Sequence, residues 1–160
     1  MTLDEDEKKG VVKLIEKLLI ALDGSDSANE ALEFALDIAE KFSAEILLLT
    51  VVHQPLWPYI SVPGTMPVAV ANLKEDLRAS HKRVLTEAVE EIKKKKPNIQ
   101  VSAKLIEGHA ADKIVEMAKE EKVDLIVLGS RGLSGVKRFL LGSVSHNVAH
   151  HCECPVLIVK

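Results

Sequence analysis

Residues 123–144 read V-D-L-I-V-L-G-S-R-G-L-S-G-V-K-R-F-L-L-G-S-V, and their pattern of apolar residues and glycines is the strongest indication of the fold. Residues 123–128 are apolar except for Asp124, a pattern that predicts a strand buried on both faces of a parallel sheet. A loop with several glycines follows, and Ser143 begins an amphipathic helix. A strand, a glycine-rich loop and a helix N-terminus are together typical of a phosphate-binding site, because small residues let backbone N–H groups approach an anion.

The glycine spacing separates this loop from two common nucleotide-binding motifs. It is not a Walker A loop, since Ser143 follows Gly142 directly and no lysine stands between them. No Gly-x-Gly-x-x-Gly follows a strand, so the Rossmann fingerprint is excluded as well. The pattern is Gly129-x2-Gly132-x9-Gly142-Ser143. This pattern resembles the nucleotide-binding signature of the universal stress protein family, in its ATP-binding branch.

Composition limits the classes of function. The chain has 160 residues, 47% hydrophobic and 28% charged, which suits one globular domain with a single core. A net charge of -3 and an aromatic content of 3% give no reason to expect a nucleic acid or a base-stacking surface. No apolar run approaches the roughly 20 residues of a membrane span. The acidic N-terminus lacks a signal-peptide core and the two cysteines form no disulfide framework, so a cytoplasmic location is expected.

Hydrophobic periodicity predicts strands alternating with helices. Ser27, with Glu30 three residues later, is expected to cap the first helix. The third strand partly alternates, so it should be half exposed near a sheet edge. This order predicts one α/β domain over 17–160, with a single open parallel five-stranded sheet, helices on both faces and an N-terminal extension at 1–16. The predicted strands are 17–23, 44–52, 99–106, 123–128 and 155–160, and the predicted helices are 28–42, 70–95, part of 108–121, and 143–151.

The family resemblance implies a strand order of 3-2-1-4-5, the arrangement of adenine nucleotide alpha-hydrolase-like folds. In that order the winding reverses between the first and fourth strands. Ligands of open α/β sheets lie outside the carboxyl ends of the strands at such a reversal. Asp23 and Gly129 are expected to meet there. The first turn has Ala21 where the family pattern has proline, a departure that leaves the pocket argument intact.

The resemblance also implies roles for individual residues. The positions matching Gly129, Gly132, Gly142 and Ser143 hold ribose and phosphates, and the position matching Val51 meets adenine through its backbone. Asp23 would line the pocket, either accepting a ribose hydroxyl or contacting a metal, and Ser130 is expected to contact phosphate. A side chain at Gly129 should block the ligand, and Gly132 and Gly135 should adopt positive φ. The implied ligand is ATP, or AMP or ADP, with Mg²⁺ or Mn²⁺ as a further option. The expected nucleotide-binding residues are Asp23, Val51, Gly129, Ser130, Gly132, Gly142 and Ser143.

Other polar groups leave alternatives open. Lys137 and Arg138 could reach a polyphosphate or remain solvated loop cations. His53 and His109 could each act as a general base, although ordinary polar roles are favoured, and no catalytic residue is assigned. A histidine and cysteine cluster near the C-terminus could be read as a zinc site, but a helix joining the last strand explains it without a metal, and no metal ligand is assigned. That cluster comprises His146, His150, His151, Cys152 and Cys154.

The leading hypothesis is an ATP-binding regulatory protein of the stress response that acts as a nucleotide-gated switch. A slow ATPase or phosphohydrolase on the same fold is the first alternative. A non-catalytic interaction protein with a vestigial pocket is the second. The last strand is apolar from Val156 to Val159 and would lie at the sheet edge, so pairing with a second copy is expected there. The family resemblance also implies such a homodimer.

Overall fold

The structure is a computed structural model that describes residues 15–53, 68–133 and 141–160. The predicted positive φ of Gly135 and the two loop cations, Lys137 and Arg138, fall outside the described residues. So does nearly all of the predicted N-terminal extension. Within the described ranges, no helix is long and apolar enough to cross a membrane.

Strands and helices alternate along the chain as the periodicity predicts. Each predicted element is present, with its ends shifted by a few residues. The elements are β1 (Lys17–Ala21), α1 (Asp26–Phe42), β2 (Glu45–Val52), α2 (Val68–Lys95), β3 (Val101–Glu107), α3 (Ala110–Glu120), β4 (Leu125–Gly129), α4 (Ser143–His151) and β5 (Val156–Val159).

The five strands form one parallel sheet in the order β3-β2-β1-β4-β5. The expected strand order is therefore confirmed. β1 lies at the centre, where Ile20 pairs with Leu48 of β2 on one side and with Val127 of β4 on the other. Because β2 and β4 pair with opposite sides of β1, the winding of the sheet reverses beside β1. The carboxyl ends of β1 and β4 therefore lie side by side.

Helices cover both faces of the sheet, so side chains alternate between two cores. Leu18 and Ile20 point towards α1 and α2, whereas Leu19 between them points towards α3 and α4. All three are fully buried, and burial of each such side chain is worth about 1.5–3 kcal/mol. At the edge, Ser102 and Ala103 of β3 are exposed, as the alternating pattern predicts. The central strands thus hold the end of β1 rigidly beside the end of β4.

The N-cap of the first helix lies two residues earlier than predicted. Ser25, not Ser27, is the N-cap, and its Oγ accepts a hydrogen bond from the N–H of Ala28 at 3.3 Å. The physical reason is Asp23, whose Oδ1 accepts hydrogen bonds from both the N–H and the Oγ of Ser25. An Asp side chain that accepts hydrogen bonds from the residue two positions later forms an Asx-turn. This turn brings Ser25 to the helix start and leaves Ser27 inside the first turn.

Candidate functional site

A cavity of about 210 Å³ lies at the carboxyl ends of β1, β2 and β4. Small-molecule sites usually measure roughly 300–1,000 Å³. The loop after β4 lines this cavity as far as Leu133, and lining residues follow again from Gly142. The structure does not describe residues 134–140 between them. The walls come from the sheet and from the starts of helices α3 and α4. The lining residues are Ala21, Leu22, Asp23, Ala28, Leu49, Val51, Ala110, Ile114, Leu128, Gly129, Arg131, Gly132, Leu133, Gly142, Ser143, Val144 and Ser145.

Most residues that the sequence nominates come together around this cavity. Ser130 is the exception, since it is 1% exposed and does not line the cavity. The sequence missed the apolar wall contributed by Ala110 and Ile114 of α3, because nothing in their pattern differs from an ordinary helix face. The nominated residues that line the cavity are Asp23, Val51, Gly129, Gly132, Gly142 and Ser143.

Asp23 ties the turn after β1 to the loop after β4. Its Oδ1 accepts from the N–H of Ser25 at 3.0 Å and from the Ser25 hydroxyl at 2.6 Å. Its Oδ2 accepts from the N–H of Leu133 at 3.1 Å. Three donors therefore hold this carboxylate in place. This positioning role went unrecognised in the sequence, because Leu133 lies 110 residues further along the chain.

Gly132 is required by close approach rather than by an unusual backbone. A Cβ at Gly132 would lie 2.6 Å from Oδ2 of Asp23. The expected positive φ at Gly132 is wrong. Among the described glycines only Gly24 and Gly108 have positive φ. A side chain at Gly132 would therefore displace the Asp23 carboxylate from its present position.

Gly129 has a packing reason that differs from the predicted one. A Cβ at this position would lie 2.6 Å from the carbonyl carbon of Ser27 and 2.7 Å from its oxygen. The first turn of α1 therefore rests directly on the end of β4, whatever lies in the cavity. The Oγ of Ser27 is buried there, and it has no hydrogen-bond partner in the described part of the chain.

Ser130 closes the loop that follows β4. Its carbonyl oxygen accepts hydrogen bonds from the N–H of Gly142 at 2.7 Å and from the buried hydroxyl of Ser145 at 3.1 Å. Its own N–H donates to the carbonyl oxygen of Val159 in β5 at 2.6 Å. The backbone of Ser130 thus joins the two ends of the loop and connects them to the edge strand.

The start of α4 is complementary to an anion. Gly142 is the N-cap, so the first turn has no side-chain acceptor, and no acidic residue lies in that turn. The helix begins at Ser143, as the sequence predicts. The first N–H groups of a helix lack intrahelical acceptors and carry partial positive charge. They border the cavity together with Arg131, an arrangement able to hold phosphate or another anion.

A larger cleft, of about 770 Å³, opens at the opposite, amino end of the strands. Several of the charged side chains that line it form ion pairs. Glu121 contacts Lys104 and, at 2.8 Å, Lys17, and these hydrogen bonds lower the pKa of Glu121 to about 2. Lys96 pairs with Glu40 at 2.5 Å. Because several of its charges are paired and it lies at the end of the sheet opposite to the one where ligands of this fold bind, the cleft is the weaker candidate for a site.

The histidines lie outside the cavity. The rings of His53 and His109 are 6.5 Å apart, edge to face, and neither residue lines the cavity. On α4, the rings of His146 and His150 are parallel with centroids 6.5 Å apart. Throughout the described ranges, no group of three or more histidine, cysteine or acidic side chains is placed to hold a metal ion.

The sheet order and the cavity define an open α/β protein whose cavity, at the reversal of winding, borders a helix N-terminus. Comparison with known proteins gives the family. The model of the universal stress protein family matches residues 15–160, and the chain belongs to this family.

Similar proteins support the assignment along almost the whole chain. A universal stress protein of Methanocaldococcus jannaschii is 37% identical over 149 residues, covering 92% of this chain and 83% of that protein. The structure of universal stress protein UspA from Lactobacillus plantarum is 25% identical with a TM-score of 0.79, over 91% and 98% of the two chains. A universal stress protein solved in complex with cAMP is 30% identical with a TM-score of 0.65, over 92% and 98%.

Proposed function

We propose that this protein binds an adenine nucleotide in the cavity at the carboxyl ends of β1, β2 and β4. One observation carries the proposal: the helix N-terminus at Ser143, the close-approach glycine at Gly132 and the strand end at Val51 border a single cavity. The family member solved with cAMP, which covers nearly this whole chain, supports an adenine ligand.

The chemistry of the walls suggests how the ligand would lie. The polyphosphate would face the open N–H groups at the start of α4, where Arg131 adds a positive charge. The adenine would lie towards Val51, between apolar side chains of the sheet and Ile114 of α3. Ribose hydroxyls would meet the polar region around Asp23. Assigning phosphate contact to Ser130 remains a prediction, and only a rearrangement of its buried side chain would allow it.

A divalent ion would be held mainly by the phosphates. Asp23 is the only carboxylate among the described residues that line the cavity. A carboxylate has about four lone-pair sites, and Asp23 already accepts three hydrogen bonds. One site on Oδ2 remains, which suits the way Mg²⁺ is bound by few protein ligands and by substrate phosphates. Mg²⁺ or Mn²⁺ would shield this carboxylate from the polyphosphate.

The residues that line the cavity favour nucleotide binding over rapid ATP hydrolysis. No histidine is found among the described lining residues, and the hydrogen bonds to Asp23 already employ it for positioning. Hydrolysis needs a group that orients the attacking water. We therefore propose a regulatory protein of the stress response in the cytoplasm, and the slow ATPase remains the second candidate.

Two features support a homodimer whose interface responds to ligand binding. All four residues of β5 are half exposed at the sheet edge, and Phe34 is 53% exposed on α1, a helix that contacts β5. An open edge strand with apolar side chains favours pairing with a second copy. Ser130 connects this strand to the start of α4. Ligand binding in the cavity would therefore affect β5, the strand at which the two copies pair.

The experiment is equilibrium binding of ATP, ADP and AMP to the purified protein, followed by mass spectrometry of any small molecule released on denaturation. The proposal expects an adenine nucleotide to bind, and ATP to be recovered intact after incubation. Repeated release of ADP would favour the ATPase. Failure of all three nucleotides to bind at millimolar concentration would remove the proposal.

A further inference from the structure

Two cysteines face each other in the connection between α4 and β5. Cys152 follows the last residue of α4, and Cys154 stands two residues later, immediately before Pro155. Their Sγ atoms lie 3.2 Å apart, within hydrogen-bonding distance, and either sulfur can donate. Both residues are half-buried against the core on the α3 and α4 side of the sheet. The two thiols are therefore adjacent and still within reach of a small molecule.

Hydrogen bonds at both ends hold this pair in place. The N–H of Cys152 donates to the carbonyl oxygen of Val148 at 2.9 Å, which closes the last turn of α4. The carbonyl oxygen of Pro155 accepts from the N–H of Ile126 in β4 at 3.0 Å. The backbone that carries the two cysteines is therefore held at both ends. A disulfide has an S–S distance of about 2.05 Å, so bond formation requires the sulfurs to approach by about 1.2 Å.

We propose that Cys152 and Cys154 form a reversible dithiol–disulfide pair that a peroxide oxidises. The thiolate of one cysteine attacks a peroxide oxygen and becomes a sulfenic acid, while the O–O bond breaks and water or an alcohol leaves. The second thiol then attacks the sulfenic sulfur, the S–S bond forms and the hydroxyl leaves as water. Two thiols and one peroxide thus give one disulfide, one water and one further water or alcohol. A dithiol reductant reverses the change.

The geometry favours this chemistry over a metal site. In the described part of the chain no third histidine, cysteine or acidic ligand completes a metal group around these sulfurs. A sulfenic acid beside a second thiol is resolved as a disulfide, whereas an isolated one proceeds to sulfinic and sulfonic acids. The contact between the sulfurs therefore determines the product. The inference does not depend on nucleotide binding.

The pair lies where its oxidation would affect two functional elements. α4 runs from the anion-complementary turn at Ser143 to the thiols, and β5 runs from the thiols to Val159, which contacts Ser130. Closing the disulfide tightens the link between this helix and this strand. The oxidation state would thereby be communicated to both the cavity and the sheet edge.

The test uses the full chain, reduced and desalted, then treated with a few equivalents of hydrogen peroxide, with unreacted thiols alkylated by N-ethylmaleimide. We expect intact mass to fall by about 2 Da, both alkylation sites to be lost together, and dithiothreitol to restore both. Peptide mapping should place the bond between Cys152 and Cys154 of the same chain.

Two matched variants, Cys152→Ala and Cys154→Ala, test the need for both sulfurs, and a folded far-ultraviolet circular dichroism spectrum is required of each. Each variant should instead gain about 16 Da or more, or link two chains. The proposal is overturned by any one of three results in the wild type. These are two thiols that remain fully alkylated, a gain of about 32 or 48 Da in place of the loss, and linkage only between chains.

Discussion

The carboxylate of Asp23 accepts a hydrogen bond from the N–H of Leu133 at 3.1 Å, across 110 residues of sequence. This contact joins the turn after β1 to the loop after β4, the two segments that meet where the sheet reverses its winding. The same carboxylate accepts two hydrogen bonds from Ser25. Asp23 therefore shapes the cavity before any ligand enters it.

Removing this carboxylate should loosen the cavity and weaken nucleotide binding together. Asp23→Ala loses three hydrogen bonds, and we expect the free energy of unfolding to fall by about 1–3 kcal/mol and ATP affinity to fall by roughly tenfold or more. Asp23→Asn keeps one acceptor oxygen, so its stability and its ATP affinity should lie between those of the wild type and of Asp23→Ala. Urea denaturation and calorimetric titration measure the effects. An Asp23→Ala protein with wild-type stability and affinity would show that the contact positions nothing.

Glycine at position 129 should be needed for folding, independently of any ligand. Gly129→Ala places a Cβ against the backbone of Ser27, and such overpacking typically costs about 1–3 kcal/mol. Because the clash involves backbone atoms, adding Ser27→Ala should not rescue it. The single change Ser27→Ala is the control and should be close to neutral, since its hydroxyl is buried without a partner. Wild-type stability of Gly129→Ala without ligand would contradict this reading.

Acid should destabilise the protein through Glu121. Hydrogen bonds from Lys104 and Lys17 lower the pKa of Glu121 from 4.5 to about 2. A carboxyl with a lowered folded pKa contributes stability above its unfolded pKa, and this contribution is lost as pH falls towards the folded value. Glu121→Gln should therefore lower Tm at pH 7 and flatten the decline of Tm between pH 5 and pH 2.

Thermal unfolding across this pH range, monitored by circular dichroism, checks the prediction. Glu90→Gln is the matched control, because Glu90 is exposed on α2 and makes no ion pair with the described residues. Its pH profile should follow the wild type. If Glu121→Gln declines as steeply as the wild type, other groups must be responsible for the acid sensitivity.

The edge strand β5 should carry the dimer. A charge in its middle, as in Ile158→Lys, is expected to give a folded monomer in sedimentation velocity, since a lysine disfavours pairing along an open edge. Ala103→Lys is the matched control, since Ala103 is exposed on β3 at the other edge of the sheet. It should leave the dimer intact. A folded Ile158→Lys protein that remains dimeric would place the interface elsewhere.

The fold could be predicted because local pattern and connectivity agree. Apolar strands such as 123–128 and amphipathic helices alternate, and that alternation leaves a parallel sheet as the consistent solution. The strand order came from the family resemblance and is confirmed by the pairing of β1 with both β2 and β4. The convergence of Asp23 and Gly129 on one cavity followed from that order.

The reasons behind individual site residues could not be predicted, because they depend on long-range contacts. The sequence predicts that a side chain at Gly129 would block the ligand and that Gly132 adopts positive φ. Each glycine instead lies where another backbone or a carboxylate comes within about 3 Å of an added Cβ. The capping box at Ser27 is a valid local signal, but the turn around Asp23 makes Ser25 the N-cap instead. Ser130 stands among the motif residues but is buried, since its backbone serves β5 and α4.

Phosphate binding at the start of α4 is tested by comparing the ATP affinity of Ser143→Glu with that of Ser143→Gln. Ser143 is exposed at the first position of α4. A carboxylate there favours the helix dipole, so Tm should hold or rise slightly, while it repels a polyphosphate at the same N–H groups. We predict that Ser143→Glu weakens ATP binding by roughly tenfold or more, about 1.4 kcal/mol, and that Ser143→Gln stays near the wild type. Equal ATP affinity of the two folded variants would contradict phosphate binding at this helix.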